Sequence, residues 1–191
     1  EYSEKYGTPV FLRPTTRVCH GYASIMVKDE TEYTHHQPEG FIKDSKRWVI
    51  FPRLSFMNHK KIEARNQELS DIFSSYEKNT IHPSCDAFKD SKKGIATGGI
   101  SYTYTMETLK KTGMVKTLKI ATPHPFPEKL AVDFLSGLDE VLCLEELDPV
   151  IERELIYICG KYHLPTRING KLSGHTACAG ENTRDTITTY I

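Results

Sequence analysis

The chain has little that would announce a chemistry. Its five cysteines, Cys19, Cys85, Cys143, Cys159 and Cys178, are scattered, odd in number and never in a Cys-x-x-Cys pair. Such a set argues against a disulfide framework and fits a reducing cytoplasm. It also lacks the close spacing that an iron–sulfur cluster of the ferredoxin kind requires, so this chain alone supplies none. Neither sign of charge is in excess, with 25 Lys+Arg against 25 Asp+Glu. Nucleic-acid binders usually carry a basic surplus, and no nucleic acid is expected as a partner. No apolar run approaches the length of a membrane span, and no membrane partner is expected either. Secretory signal, internal repeat and low-complexity tract are all missing, as is an initiator methionine. The chain opens at Glu1 in what reads as the middle of a helix. A piece of a longer polypeptide is expected, although processing would give the same start.

What is present is an ordinary folded composition, 38% hydrophobic and 26% charged over 191 residues, enough for one or two domains. Residues 93–168 organise it. The run Gly94-Ile95-Ala96-Thr97 reads as a strand that ends in Gly98-Gly99. Ser101 is placed to cap a helix running to about Thr112, which Gly113 can close in a left-handed turn. Residues 115–121 form a second strand. Pro127 and Glu128 suit the first turn of a helix whose apolar positions are Leu130, Phe134, Leu135 and Leu138. Val141-Leu142-Cys143-Leu144 is unbroken and apolar, as in a strand covered on both faces. Asp148-Pro149 reads as a cap and first-turn proline, before a stripe of Ile151, Leu155, Ile158 and Tyr162. Residues 166–168 add a fourth strand. This alternation predicts an α/β fold: a mostly parallel sheet with helices on both faces and right-handed crossovers. Burial should centre on Ile95, Leu118, Ile120, Leu130, Phe134, Val141, Leu142, Leu144, Ile151 and Leu155.

The flanks are less regular. Residues 2–6 read as the end of a helix stopped by Gly7, and Val10-Phe11-Leu12 as a buried-type strand. Residues 21–44 form a polar connector. Its adjacent His35 and His36 lie near acidic residues, but neighbouring side chains diverge and no second ligand pair has metal spacing, so no metal is assigned. Residues 47–54 are apolar and aromatic, suited to docking on a neighbouring domain, with Trp48, the only tryptophan, as anchor. A long helix is expected over residues 57–76, with Ile62, Leu69, Ile72, Phe73 and Tyr76 near one face; the whole entry linker is thus partly helical. Residues 77–91 read as a second connector and residues 173–191 as an exit linker.

Few residues suggest chemistry. Thr16, Arg17 and His20 follow the first predicted strand, where a parallel sheet would place a ligand cleft. A structural ion pair for Arg17 and a satisfied hydrogen bond for His20 also account for them, and that reading is preferred. Gly98-Gly99 sits at a strand-to-helix turn whose N–H groups can hold an anion. It is neither a dinucleotide fingerprint nor a P-loop, and a tight turn alone explains the glycines. Glu145-Glu146 ends a strand; adjacent residues there face opposite ways, so one of them can cap the next helix or meet another subunit. His124, between Pro123 and Pro125, reads as loop geometry. Catalytic and metal-binding residues are assigned to none of these positions.

The wording of three segments goes further. Residues 94–104 (GIATGGISYTY), 118–130 (LKIATPHPFPEKL) and 139–152 (DEVLCLEELDPVIE) closely resemble the middle of the alpha subunit of the indolepyruvate:ferredoxin oxidoreductases, which are thiamine diphosphate-dependent 2-oxoacid:ferredoxin oxidoreductases. The resemblance implies the fold of the transketolase C-terminal domain for residues 92–172. It makes residues 1–20 the tail of a pyrimidine-binding domain, 21–91 an interdomain linker and 173–191 the way to the next domain. Enzymes of this kind oxidatively decarboxylate aryl pyruvates with thiamine diphosphate, Mg²⁺ and [4Fe-4S] clusters, passing the acyl group to coenzyme A and electrons to ferredoxin. The motifs for those cofactors are not in this chain, so the expected role is structural. The implied partners are other domains of the same subunit, a beta subunit, ferredoxin and coenzyme A. Self-association of the chain is expected as well, because it would hide both apolar segments at once. Two other readings stay open: a freestanding α/β module binding a phosphorylated ligand or coenzyme A at Gly98-Gly99, and an interaction module without ligand.

Overall fold

The structure, a computed structural model, describes residues 2–33 and 40–191. His35 and His36 therefore lie outside the described residues. The chain divides into two units, Glu1–Arg65 and Asn66–Ile191.

The first unit holds α1 (Tyr2–Tyr6), α2 (Thr16–Cys19), α3 (Ser45–Trp48) and the start of α4 (Pro52–Ser74). Gly7 stops α1 in the left-handed region, as expected, with φ of 56°. None of the described residues before Asn66 is buried. Val10, Phe11 and Leu12 form no strand and are exposed. A strand needs a neighbouring edge for its N–H and C=O groups, and no described segment pairs with these residues. Local contacts order the Trp48 segment instead. Asp44 accepts the Lys46 N–H at the start of α3. The Trp48 indole donates to the Ile42 carbonyl at 2.9 Å and stacks on Phe41, with the Arg47 guanidinium 4.5 Å above its ring.

The second unit is built on β1 (Thr80–His82), β2 (Lys93–Gly98), β3 (Lys116–Ile120), β4 (Glu140–Leu144) and β5 (Arg167–Asn169). These form one five-stranded sheet in the order β1-β3-β2-β4-β5. Every neighbouring pair is parallel except β1 with β3. The α/β class and the mostly parallel sheet are those expected. β1, read from sequence as connector, is the antiparallel edge strand. Three residues flanked by polar loops give too short an alternation to read.

Helices cover both faces. α6 (Glu128–Leu135) and α7 (Val150–Tyr162) pack on one face through Phe134, Leu135, Ile151, Leu155 and Ile158, against Ala96, Leu118, Ile120, Val141 and Cys143. The opposite face, carrying Ile95 and Leu144, is met by Leu109 of α5 (Gly99–Thr112) and Ile187 of α8 (Arg184–Tyr190). Of the residues expected at the centre of burial, Leu130 and Leu142 are only half-buried. Tyr162, placed in the buried stripe of α7, is 43% exposed, and its hydroxyl donates to the Glu128 carboxylate. A phenol keeps its polar tip where a partner or water can reach it. Cys143 is buried, and burial pushes its thiol well up, as it does that of half-buried Cys159. Both behave as small apolar residues.

The last turns of α4 belong to this unit. Leu69 and Phe73 are buried, whereas Ile62, placed on the same apolar face, is 40% exposed. The helix starts at Pro52, earlier than its apolar spacing indicated, since proline is pre-organised for a first turn. Ser70 Oγ donates to the Phe126 carbonyl. Asn79, only 4% exposed, donates to the Phe73 carbonyl and the Thr122 hydroxyl, and its own oxygen accepts from the Ala121 and Thr122 N–H groups. One buried amide thus ties the end of α4 to the end of β3.

The candidate site at the carboxyl end of the sheet

From β2 the chain crosses by α5 to β3 on one side; from β3 it returns by α6 to β4 on the other. The order therefore reverses at β2, and the crevice beyond β2 and β4 is where parallel α/β sheets bind ligands. Gly98 and Gly99 lie at its floor. A Cβ on Gly98 would stand 2.6 Å from the Ile120 carbonyl oxygen, and Gly99 has φ of 56°. Close strand approach and a left-handed turn therefore account for both glycines.

Ser101 does not cap α5. The cap position is Gly98, without a side-chain bond, and Ser101 is buried two residues into the helix. Its hydroxyl accepts from Asn182 Nδ2 at 2.9 Å, while the Asn182 backbone N–H donates to Glu146 at 2.8 Å. Asn182 thus bridges the crevice from the end of β4 to the first turn of α5. Thr97, at the end of β2, donates to the Leu144 carbonyl across the same gap.

The neighbouring helix start is filled. Glu145 turns inward, and its two oxygens accept the Ile151 and Glu152 N–H groups at 2.9 and 3.0 Å. It is the capping member of the Glu145-Glu146 pair. Asp148 makes no cap bond and Pro149 holds the cap position, which corrects the sequence-based expectation. Burial raises the Glu145 pKa, against the lowering effect of those N–H bonds. Glu152, 1% exposed, accepts the Leu172 N–H at 3.1 Å. A Cβ on Gly170 would stand 2.7 Å from its carboxylate, so only glycine lets that loop close over it.

The remaining candidates belong to different units, Thr16, Arg17 and His20 to the first and His124 to the second. Thr16 and Arg17 are exposed residues of the one-turn helix α2, and His20 follows them, its N–H donating to the Thr16 carbonyl. His124 is exposed, in a cis bond to Pro125; burial raises the Glu154 pKa, partly opposed by the nearby imidazole of His124. No group of three or more metal-ligating side chains occurs among the described residues. No helix among them is long and apolar enough to cross a membrane. The residues sequence reasoning missed are Asn182 and Glu152. The Thr183–Thr186 capping box beside Asn182 was a legible helix start; nothing local marks Glu152 as buried.

The fold defines a doubly wound α/β domain in which the Glu145 carboxylate occupies the start of α7. No family model matches the chain. Among curated proteins it is similar to subunit IorA of indolepyruvate oxidoreductase from Methanothermobacter thermautotrophicus, 35% identical over 91% of this chain and 28% of that protein. The same-named subunit of Pyrococcus abyssi is 33% identical over 90% of this chain and 26% of its own length. That of Archaeoglobus fulgidus is 29% identical over 80% and 24%. Over this stretch the chain is a relative of the indolepyruvate oxidoreductase IorA subunits. It spans about a quarter of the length of the curated relatives it matches.

Proposed function

We propose that the chain is a noncatalytic structural domain of an indolepyruvate (aryl pyruvate):ferredoxin oxidoreductase alpha subunit, located in the cytoplasm. The whole enzyme would decarboxylate aryl pyruvates oxidatively to acyl-CoA, with thiamine diphosphate, Mg²⁺ and [4Fe-4S] clusters held elsewhere in the assembly. Residues 1–20 would end a pyrimidine-binding domain, 21–91 link it onward, and the sheet domain brace its neighbours in the subunit, with residues 173–191 leading on to the next domain. A beta subunit, ferredoxin and coenzyme A would be partners of the whole.

The observation that carries this reading is the occupied start of α7. There the Glu145 carboxylate accepts the Ile151 and Glu152 N–H groups that a diphosphate would otherwise meet. A carboxylate there repels a second anion. The start of α7 therefore does not fit the diphosphate of thiamine diphosphate, and no chemical step is routed through it. Thr16, Arg17 and His20 are the residues of this chain proposed to stand nearest a cofactor or substrate in the whole enzyme. The competing reading is a phosphorylated ligand or coenzyme A at Gly98-Gly99, beside the Asn182–Ser101 bond.

Two measurements decide. The chain is incubated with thiamine diphosphate, Mg²⁺, coenzyme A, indolepyruvate and a dye acceptor; turnover above background overturns the noncatalytic assignment. Titration calorimetry with coenzyme A should give no heat of binding, for wild type and for Asn182→Ala alike. Saturable binding that Asn182→Ala strengthens would instead establish the ligand-binding reading.

A further inference from the structure

We draw no further inference here: the strongest candidate, the side-chain cluster of His82, Tyr102 and Lys119 where β1 and β3 meet α5, carries none, because the Tyr102 hydroxyl can pair with either charge state of the His82 ring and nothing in the structure shows a ligand there.

Discussion

Ile187 is where the second face of the sheet is most open to a decisive measurement. It is fully buried and meets Ile95 of β2, Leu109 of α5 and Leu144 of β4. Among the described residues of this unit, α5 and α8 supply the helical cover on that side, so a cavity there has few neighbours able to collapse into it. Truncating a buried isoleucine to alanine costs about 2–5 kcal/mol, the upper part of that range applying where collapse is poor. For Ile187→Ala we expect a loss of about 3 kcal/mol. At the size of unit Asn66–Ile191, that is a fall in Tm of roughly 10 °C. Urea unfolding followed by far-UV circular dichroism reads the loss as a shift in midpoint at unchanged slope. Leu172→Ala, 54% exposed, is the control and should move stability by less than about 0.5 kcal/mol. If Ile187→Ala behaves like the control, α8 is not part of the core and the account of that face is wrong.

Other expectations follow from single contacts. Asn79→Ala removes the acceptor of the Ala121 and Thr122 N–H groups and one of the donors to the Phe73 carbonyl, and should cost about 2–4 kcal/mol by urea unfolding; a cost below 1 would refute the role given to this amide. Gly170→Ala forces a methyl against the buried Glu152 carboxylate and should destabilise by about 2 kcal/mol or more, while Gly174→Ala, with open space but φ of 74°, should cost only about 1. Lys116 donates to the Asp133, Phe134 and Ser136 carbonyls at the end of α6, so Lys116→Met should lower the unfolding midpoint by an amount worth about 1 kcal/mol. Glu145 has a folded-state pKa above its unfolded one; the folded state holds this proton more tightly, so its contribution to stability is greatest below the unfolded pKa and diminishes as pH rises through the folded one. Wild type should therefore gain on Glu145→Gln as pH is lowered from neutral toward the carboxylate range, and a gap that widens with rising pH would contradict the burial argument.

The sequence by itself determined the alternation of strand and helix over residues 93–168. Apolar runs such as Val141–Leu144 and the spacing of Ile151, Leu155 and Ile158 are local signals, readable from periods of two and 3.6 residues. Three motifs in order also carried the family resemblance, because they specify many positions at once. Thr16, Arg17, His20, Gly98 and Gly99 were legible as polar or glycine residues at strand ends, but their surroundings were not. Tertiary structure decided that Val10–Leu12 has no strand partner among the described residues and that Thr80–His82 joins the sheet. It also decided that Ser101 receives the Asn182 amide instead of capping a helix. Ser101 and Asn182 are far apart in the chain, as are Glu152 and the Leu172 N–H group it accepts from. A helix start or strand end is set by the residues within one turn of it. Whether the space beyond it is empty or filled depends on which distant segment returns there, and no local period encodes that return.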